Sequence, residues 1–281
     1  MTLEINEDNL EERLEELERA RSWSPRVVAK LESFIRSEDD FLLFRINPIQ
    51  FAKDKSISEE QAINLFLYGR KAGLFQMDWQ LLCKGCGDVV ESFSSLDVVD
   101  SQYFCNFCST DYEASMDDMI EVSFTISPHV RRIRCHDPNS LSAEEYFLKY
   151  KMSRNARVNG GRKLVEYLLD YSRLMTFLEP GEIRDFELEV TPSVLATTIG
   201  LTFQVEGKAK DKGQSFSHKI REISDRHFET LTPGELTLRL VNDTPNRMPI
   251  AIFNFPSPPT TPDFDPFLSG KKLLTTQTFR D

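Results

Sequence analysis

The sequence predicts an α+β multi-module chain: an N-terminal helical, winged-helix-like module, a four-cysteine ribbon and a C-terminal antiparallel β-sandwich. Three observations carry this. Cys83-x2-Cys86 and Cys105-x2-Cys108 are two close pairs with 18 residues between them. Helix-capping signals recur between residues 24 and 73. From Glu179 on, short β-rich runs alternate with turn residues. The modules divide as residues 1–23, an acidic helix; 24–82, winged-helix-like; 83–127, ribbon and following strand; 128–178, a basic connecting segment; 179–255, sandwich; and 256–281, a proline-rich linker and tail.

Leu10, Leu14 and Leu17 fall at i, i+4 and i+7, a narrow apolar stripe on an acidic helix. Such a stripe fits a short coiled-coil seam or a helix laid on the body. Ser24-Pro25 starts a second helix, with Ser as N-cap and Pro at the first helical position, burying Val27, Val28, Leu31, Phe34 and Ile35. Residues 41–46 read as a short strand. Asn47-Pro48 caps a short helix carrying Ile49 and Ala52. Ser58 and Gln61 form a capping box that opens a helix ending near Gly73. Phe75, Met77, Trp79 and Leu81 alternate with polar residues, the pattern of a half-buried strand entering Cys83. Helix, strand, helix, turn, helix, strand is the order of a winged helix.

Two CxxC pairs at this separation have the spacing of a four-cysteine zinc site. Cys83, Cys86, Cys105 and Cys108 would surround one Zn2+ tetrahedrally at about 2.3 Å. All four positions are then filled by protein, so the ion is structural, one per chain. Two disulfides or four plain thiols are the competing readings. Gly85 and Gly87 beside Cys86, and Asn106 in the second pair, suit tight turns. The fifth cysteine, Cys135, reads as a plain thiol.

Beyond the ribbon, Ile120, Val122, Phe124 and Ile126 alternate with Glu121, Ser123 and Thr125 as a strand. Ser142 to Tyr150 reads as helix, and Leu164 to Met175 as either helix or strand, with a turn at Asn159-Gly160-Gly161. That Gly-Gly is a weak phosphate-loop signal, lacking Walker spacing. Glu179-Pro180-Gly181-Glu182 and Thr232-Pro233-Gly234-Glu235 each precede a strand. Several short strands at this spacing predict a sandwich. No His-Cys-Met set appears, which argues against copper. After PSPPTTPDFDP, Leu273, Leu274 and Phe279 either dock back or open a further element.

The 281 residues are 40% hydrophobic and 28% charged, ordinary for a soluble globular chain. No run of 18 apolar residues occurs, so no membrane span is expected. The acidic N-terminus lacks a signal-peptide core, and thiolate ligation suits a reducing cytoplasm. Net charge is −11, which disfavours a nucleic-acid backbone as partner unless positive charge gathers on one face. Residues 127–173 do gather it, with ten Arg and Lys against five acids, while residues 1–18 hold eight acids against Arg13. These surfaces could pair with each other, or the basic one could meet an acidic partner or a phosphate. Glu59 and Glu60 open the helix that a DNA-reading winged helix would present, the wrong charge for phosphates. The histidines His129, His136, His218 and His227 are scattered, and no paired carboxylates have a distinctive setting, so no enzyme is expected within these residues.

The segment SISEEQAINLFLYGRKAGLFQMDWQLLC, the two CxxC pairs, the Pro-Gly-Glu β-region and the closing LLTTQTFRD, taken in order, resemble one family. It is the region preceding the catalytic domain in many bacterial class III adenylate/guanylate cyclases, and the match runs from about Phe41 to Asp281. The resemblance implies Cys83, Cys86, Cys105 and Cys108 as metal ligands, a cyclase domain in cis after Asp281, a homodimer, and a small ligand or protein as input. It implies a non-catalytic regulatory or sensor region in cyclic-nucleotide signalling. The paired metal-binding aspartates of a class III cyclase are absent here. The alternatives are a stand-alone zinc-ribbon interaction module and a nucleic-acid-binding protein.

Overall fold

The computed structural model describes residues 5–36, 39–93, 102–108, 110–113, 119–209, 213–221, 227–257 and 260–280. The chain is mixed α/β, with three hydrophobic clusters.

Helices α1 (Glu7–Ala20), α2 (Pro25–Ile35), α3 (Pro48–Lys55) and α4 (Glu59–Lys71) pack on strands β1 (Phe75–Leu82), β2 (Val89–Phe93) and β5 (Ile120–Ile126). The three strands form an antiparallel sheet in the order β2-β1-β5. Between them in sequence lie β3 (Gln102–Cys105) and β4 (Thr110–Glu113), an antiparallel pair. The caps follow local chemistry. Asn6, Asn47 and Ser58 accept from the amides of Asn9, Ile49 and Gln61, each satisfying an orphan donor of the first turn. Gln61 reaches back to the Ser58 amide. Ser24 stands at the N-cap of α2 without a side-chain bond. Leu10, Leu14 and Leu17 are buried in this first core, so α1 is laid on the body.

Two expectations for this region are corrected. Residues 41–46 hold no strand. Asp39 caps a 3-10 turn at Asp40–Leu43, and Arg45 sits at φ 49°, a left-handed conformation that breaks an extended run. Only Ile46 pairs, as a single bridge to Phe124, so the first strand of the winged-helix order is missing. Strand β1 is half-buried only over Phe75–Trp79, where Gln76 is exposed and Asp78 partly so; from Gln80 on both faces are covered. Gln80 is 1% exposed, and Glu121, Ser123 and Thr125 on β5 are buried too. Residues 149–155 cover that second face, and most of its polar groups find partners, the Gln80 amide nitrogen being the exception. Ser123 Oγ donates to Gln80 Oε1 at 3.0 Å, Thr125 Oγ1 to Asp78 Oδ2 at 3.2 Å, and Asn155 Nδ2 to Glu121 Oε1 at 2.8 Å.

The connecting segment folds as α5 (Ala143–Tyr146), a π-helical turn Phe147–Lys151, a small hairpin of β6 (Ala156–Val158) and β7 (Arg162–Lys163), and α6 (Leu164–Tyr171). The ambiguous stretch Leu164 to Met175 is both helix and strand, since α6 runs straight into β8 (Ser172–Leu178).

Strand β8 opens the larger β-region, so that sheet begins inside the basic segment. With β10 (Ser193–Thr197), β11 (Leu201–Val205), β13 (His227–Leu231) and β15 (Met248–Phe255) it forms a sheet ordered β13-β11-β10-β15-β8. Strands β9 (Ile183–Val190), β12 (Gln214–Ile220) and β14 (Gly234–Asn242) form a second, ordered β12-β14-β9. Apolar residues of both sheets share one core, including Leu195, Phe203 and Ile252 of the first and Leu236, Leu238 and Leu240 of the second. The expected all-antiparallel pairing is corrected: β11–β13 and β12–β14 are parallel. The reason is connectivity. From β11 to β14 the chain alternates between sheets, so strands two apart in sequence share a sheet and run the same way. On β15, Ile250 and Ile252 face this core, while Ala251, Phe253 and Phe255 pack with Phe147, Met152, Tyr167 and Leu168.

The C-terminal segment is not a free linker. Strand β16 (Asp263–Phe264) adds to β6, and α7 (Gly270–Leu274) and α8 (Gln277–Arg280) return to the first core. Leu268 and Leu273 are both 0% exposed there. Val122 N donates to the Leu268 carbonyl at 2.7 Å, and Asn47 Nδ2 to the Pro266 carbonyl at 2.9 Å. Apolar side chains brought back by the chain bury more favourably than they hydrate.

Candidate metal centre and adjoining cleft

Each CxxC pair sits in the turn of its own hairpin. Cys83 follows β1, its amide donates to the Asp88 carbonyl at 2.8 Å, and the Gly87 amide donates back to the Cys83 carbonyl at 2.8 Å. Gly87 has φ +75°, and a Cβ there would lie 2.7 Å from Leu164 and 3.0 Å from Ala156. Glycine is therefore required both by the turn and by the close approach of the connecting segment. Cys105 ends β3, and the β3–β4 turn carries Cys108. The Gly85 amide points to Cys83 Sγ at 3.4 Å and the Cys108 amide to Cys105 Sγ at 3.5 Å, donors that stabilise charge on sulfur.

All four sulfurs lie within 4.8 Å of one another, close enough to hold a metal ion. Cys83 and Cys108 Sγ are 3.7 Å apart, and Cys86 and Cys105 Sγ 3.6 Å. A tetrahedron with about 2.3 Å metal–sulfur bonds has edges of about 3.8 Å, so the donor set fits such an ion. Hydrogen bonds from Cys105 hold the Cys83 and Cys108 thiols below the usual range, while Cys105, bonded to Cys108, is held above it. Tyr103 and Tyr112 stack beside the sulfurs at 5.4 Å. Phe107, between the second pair, meets Phe253 of β15 edge-on at 5.9 Å. The centre thus ties the first sheet to the larger β-region. Cys135 lies apart, 3% exposed, with its thiol pushed up to about 11 by burial.

The other residues singled out in the sequence behave as scaffold. The His136 ring accepts from the Ile133 amide and donates to the Ile126 carbonyl. His129 offers its carbonyl to Asn9. His218 and His227 do meet, with ring centroids 5.4 Å apart, although they are distant in sequence. The Asn159-Gly160-Gly161 turn is exposed and joins β6 to β7. The acidic helix α1 ion-pairs through Glu7 with Arg36.

A second feature was invisible as a motif. A cleft of about 870 Å3 opens between α3, the polar edge of β1 and β5, and residues 149–157. Arg45, Lys53, Lys55, Lys149, Arg154, Arg157 and Lys163 line it, against Asp54, Glu121 and Asp265. Glu121 is 6% exposed, and its carboxyl is pushed up to about 7 by burial, with the Arg45 charge pulling the other way. Arg45 donates to the carbonyls of Lys149 and Tyr150 and to Ser92 Oγ. Four of the ten cations counted in residues 127–173 converge here. The charge excess of that segment was legible, but its partners on α3 and β5 were set only by the fold.

A family model described as a family of unknown function, DUF5939, matches residues 8–281. No curated protein and no solved structure matches the chain.

Proposed function

From the premise that the chain belongs to the DUF5939 family of unknown function, we propose that it is a non-catalytic regulatory region of a bacterial class III adenylate/guanylate cyclase. The supporting observation is the docked tail. Residues 263–280 thread past the cleft and bind the first core through Leu268 and Leu273. Anything attached beyond Asp281 is held in an orientation set by the body, so a shift in the body would be passed on. An input need only bind one arrangement better than another. Class III sites form between two catalytic domains, so this region would act as a homodimer, setting their spacing or rotation.

Within this reading the metal is Zn2+, one per chain, structural and held by Cys83, Cys86, Cys105 and Cys108. The first module is a winged-helix relative used for packing, and the two-sheet region a sandwich. Among the described residues no helix is long and apolar enough to cross a membrane. Thiolate ligation supports a cytoplasmic setting.

Two measurements test the proposal. The native reading frame beyond the Asp281 codon should continue into a domain with paired metal-binding aspartates. In that longer protein, Leu273→Asp should change cyclase activity while metal content stays at one per chain. A stop codon after Asp281, or unchanged activity with an undocked tail, would overturn it in favour of a stand-alone interaction module.

A further inference from the structure

The chain carries net charge −11, yet this cleft is lined by seven cations and three carboxylates. The carboxylates are already engaged. Asp54 accepts from Gln50 at 2.6 Å, Glu121 from Asn155 at 2.8 Å, and Asp265 pairs with Arg157. Among the described residues, Lys53, Lys149 and Arg154 form no ion pair. The uncompensated charge of the cleft is therefore positive.

Arg154 is held at one end only. Its Nη1 donates to the Phe41 carbonyl at 2.8 Å, while Nε and Nη2 are shut off from solvent with no partner. Those two groups make up the side of the guanidinium that grips a phosphate or carboxylate with two parallel hydrogen bonds. Gln80, also lining the cleft and 1% exposed, has its amide nitrogen unpartnered as well. Leaving such donors buried and unmade is costly. Burial, and then the charge of Arg154, lowers the Lys149 ammonium from its usual value, a repulsion that an anion between them would relieve.

Apolar side chains line the same cleft. Phe34 and Phe51, edge to face at 5.2 Å, line the cleft with Ile46 and Met152. A volume of about 870 Å3 falls within the range of small-molecule sites. A lining that combines cations with aromatic rings suits a ligand with an anionic end and an organic body.

We propose that this cleft binds a small organic phosphate. Lys149, Arg154 and Lys53 face its phosphate groups, and Phe34 and Phe51 face its body. Binding here does not depend on the cyclase reading, which is settled by the reading frame, whereas this site is tested on the 281-residue chain itself.

Titration calorimetry with adenosine diphosphate, pyrophosphate, citrate and adenosine is the test. Adenosine diphosphate should bind, more tightly than pyrophosphate, and weaken as salt rises. Adenosine alone should not bind. Lys53→Met combined with Lys149→Met should weaken binding by about tenfold or more, one lost charge-assisted contact being worth roughly that factor. Arg154→Lys should weaken it further, and the paired lysine variant keeps the test valid if the buried arginine variant fails to fold. Neither phosphate binding at about 1 mM, citrate binding as tightly as pyrophosphate, or undiminished affinity in the double lysine variant would each overturn the proposal.

Discussion

Phe279 lies edge-on against Trp79, ring centroids 6.2 Å apart at 69°, although 200 residues of sequence separate them. Trp79 is 2% exposed, in the middle of β1, so the end of the tail is fixed to the centre of the first sheet. Thr278 Oγ1 adds a 2.6 Å bond to Asn64 Oδ1 of α4, and Lys272 pairs with Glu59 at 2.5 Å. Leu273→Ala should therefore cost about 2–5 kcal/mol. In hydrogen exchange, the amides of α7 and α8 should lose protection first. Unchanged protection there would show that the tail is held by other contacts.

Metal analysis should find one ion per chain, zinc by the donor set. Cys86→Ser should abolish it, and a strong chelator should release the ribbon hairpins, because a structural zinc contributes on the order of 10 kcal/mol to local folding. Metal-free protein recovered from zinc-replete expression would refute the assignment.

Stability should fall as pH rises from about 4.5 to about 7. Burial raises the Glu121 carboxyl from 4.5 to about 7, so between those values the folded chain binds a proton that the unfolded chain has released. The contribution is full below pH about 4.5 and is lost by pH about 7, amounting to about 3 kcal/mol. Burial shifts Asp78 in the same direction. Glu121→Gln should flatten this slope and raise the melting temperature at pH 8, measured against wild type at pH 5 and pH 8. An equal slope in both proteins would exclude Glu121 as its source.

Gly87→Ala should be among the most damaging single-methyl additions. The φ of +75° alone implies about 1–2 kcal/mol of strain. The added carbon would also push into Leu164 and Ala156. Chemical denaturation should show the loss, and the variant should hold its metal less tightly, since Gly87 closes the turn that carries Cys86.

The proposed regulatory role predicts self-association. Ile183, 63% exposed on the edge strand β9, is one apolar group available to a second copy. Sedimentation equilibrium should show a monomer–dimer equilibrium, and a strict monomer at high concentration would count against the mechanism.

Local chemistry was the legible part of this chain. The capping groups Asn47 and Ser58–Gln61, the Leu10-Leu14-Leu17 stripe and the four clustered cysteines each depend on residues close in sequence. Residues 41–46 were misread because strand-like composition there is overridden by the Asp39 cap and the left-handed Arg45. Alternation on β1 suggested a wet face, but alternation reports only that one face is polar. Whether Asn155 and Ser153 arrive to cover it is a tertiary matter. The parallel pairs of the β-region, and the cleft formed by α3, β5 and residues 149–157, depend on which sheet each strand joins, and no spacing in the sequence encodes that.

The buried positions of Leu268 and Leu273 have a consequence for synthesis. The first core begins at Leu10 and is nearly complete in sequence by Leu141, yet two of its fully enclosed side chains emerge from the ribosome more than a hundred residues later. Throughout translation of the β-region, the part of the first core beside β5 that receives them lacks its cover. Such surface invites non-native contacts while the chain is unfinished. Premature truncation before residue 268 would leave that part of the core permanently uncovered, so shortened products should be recognised by chaperones and proteases even though every helix of the first module is present.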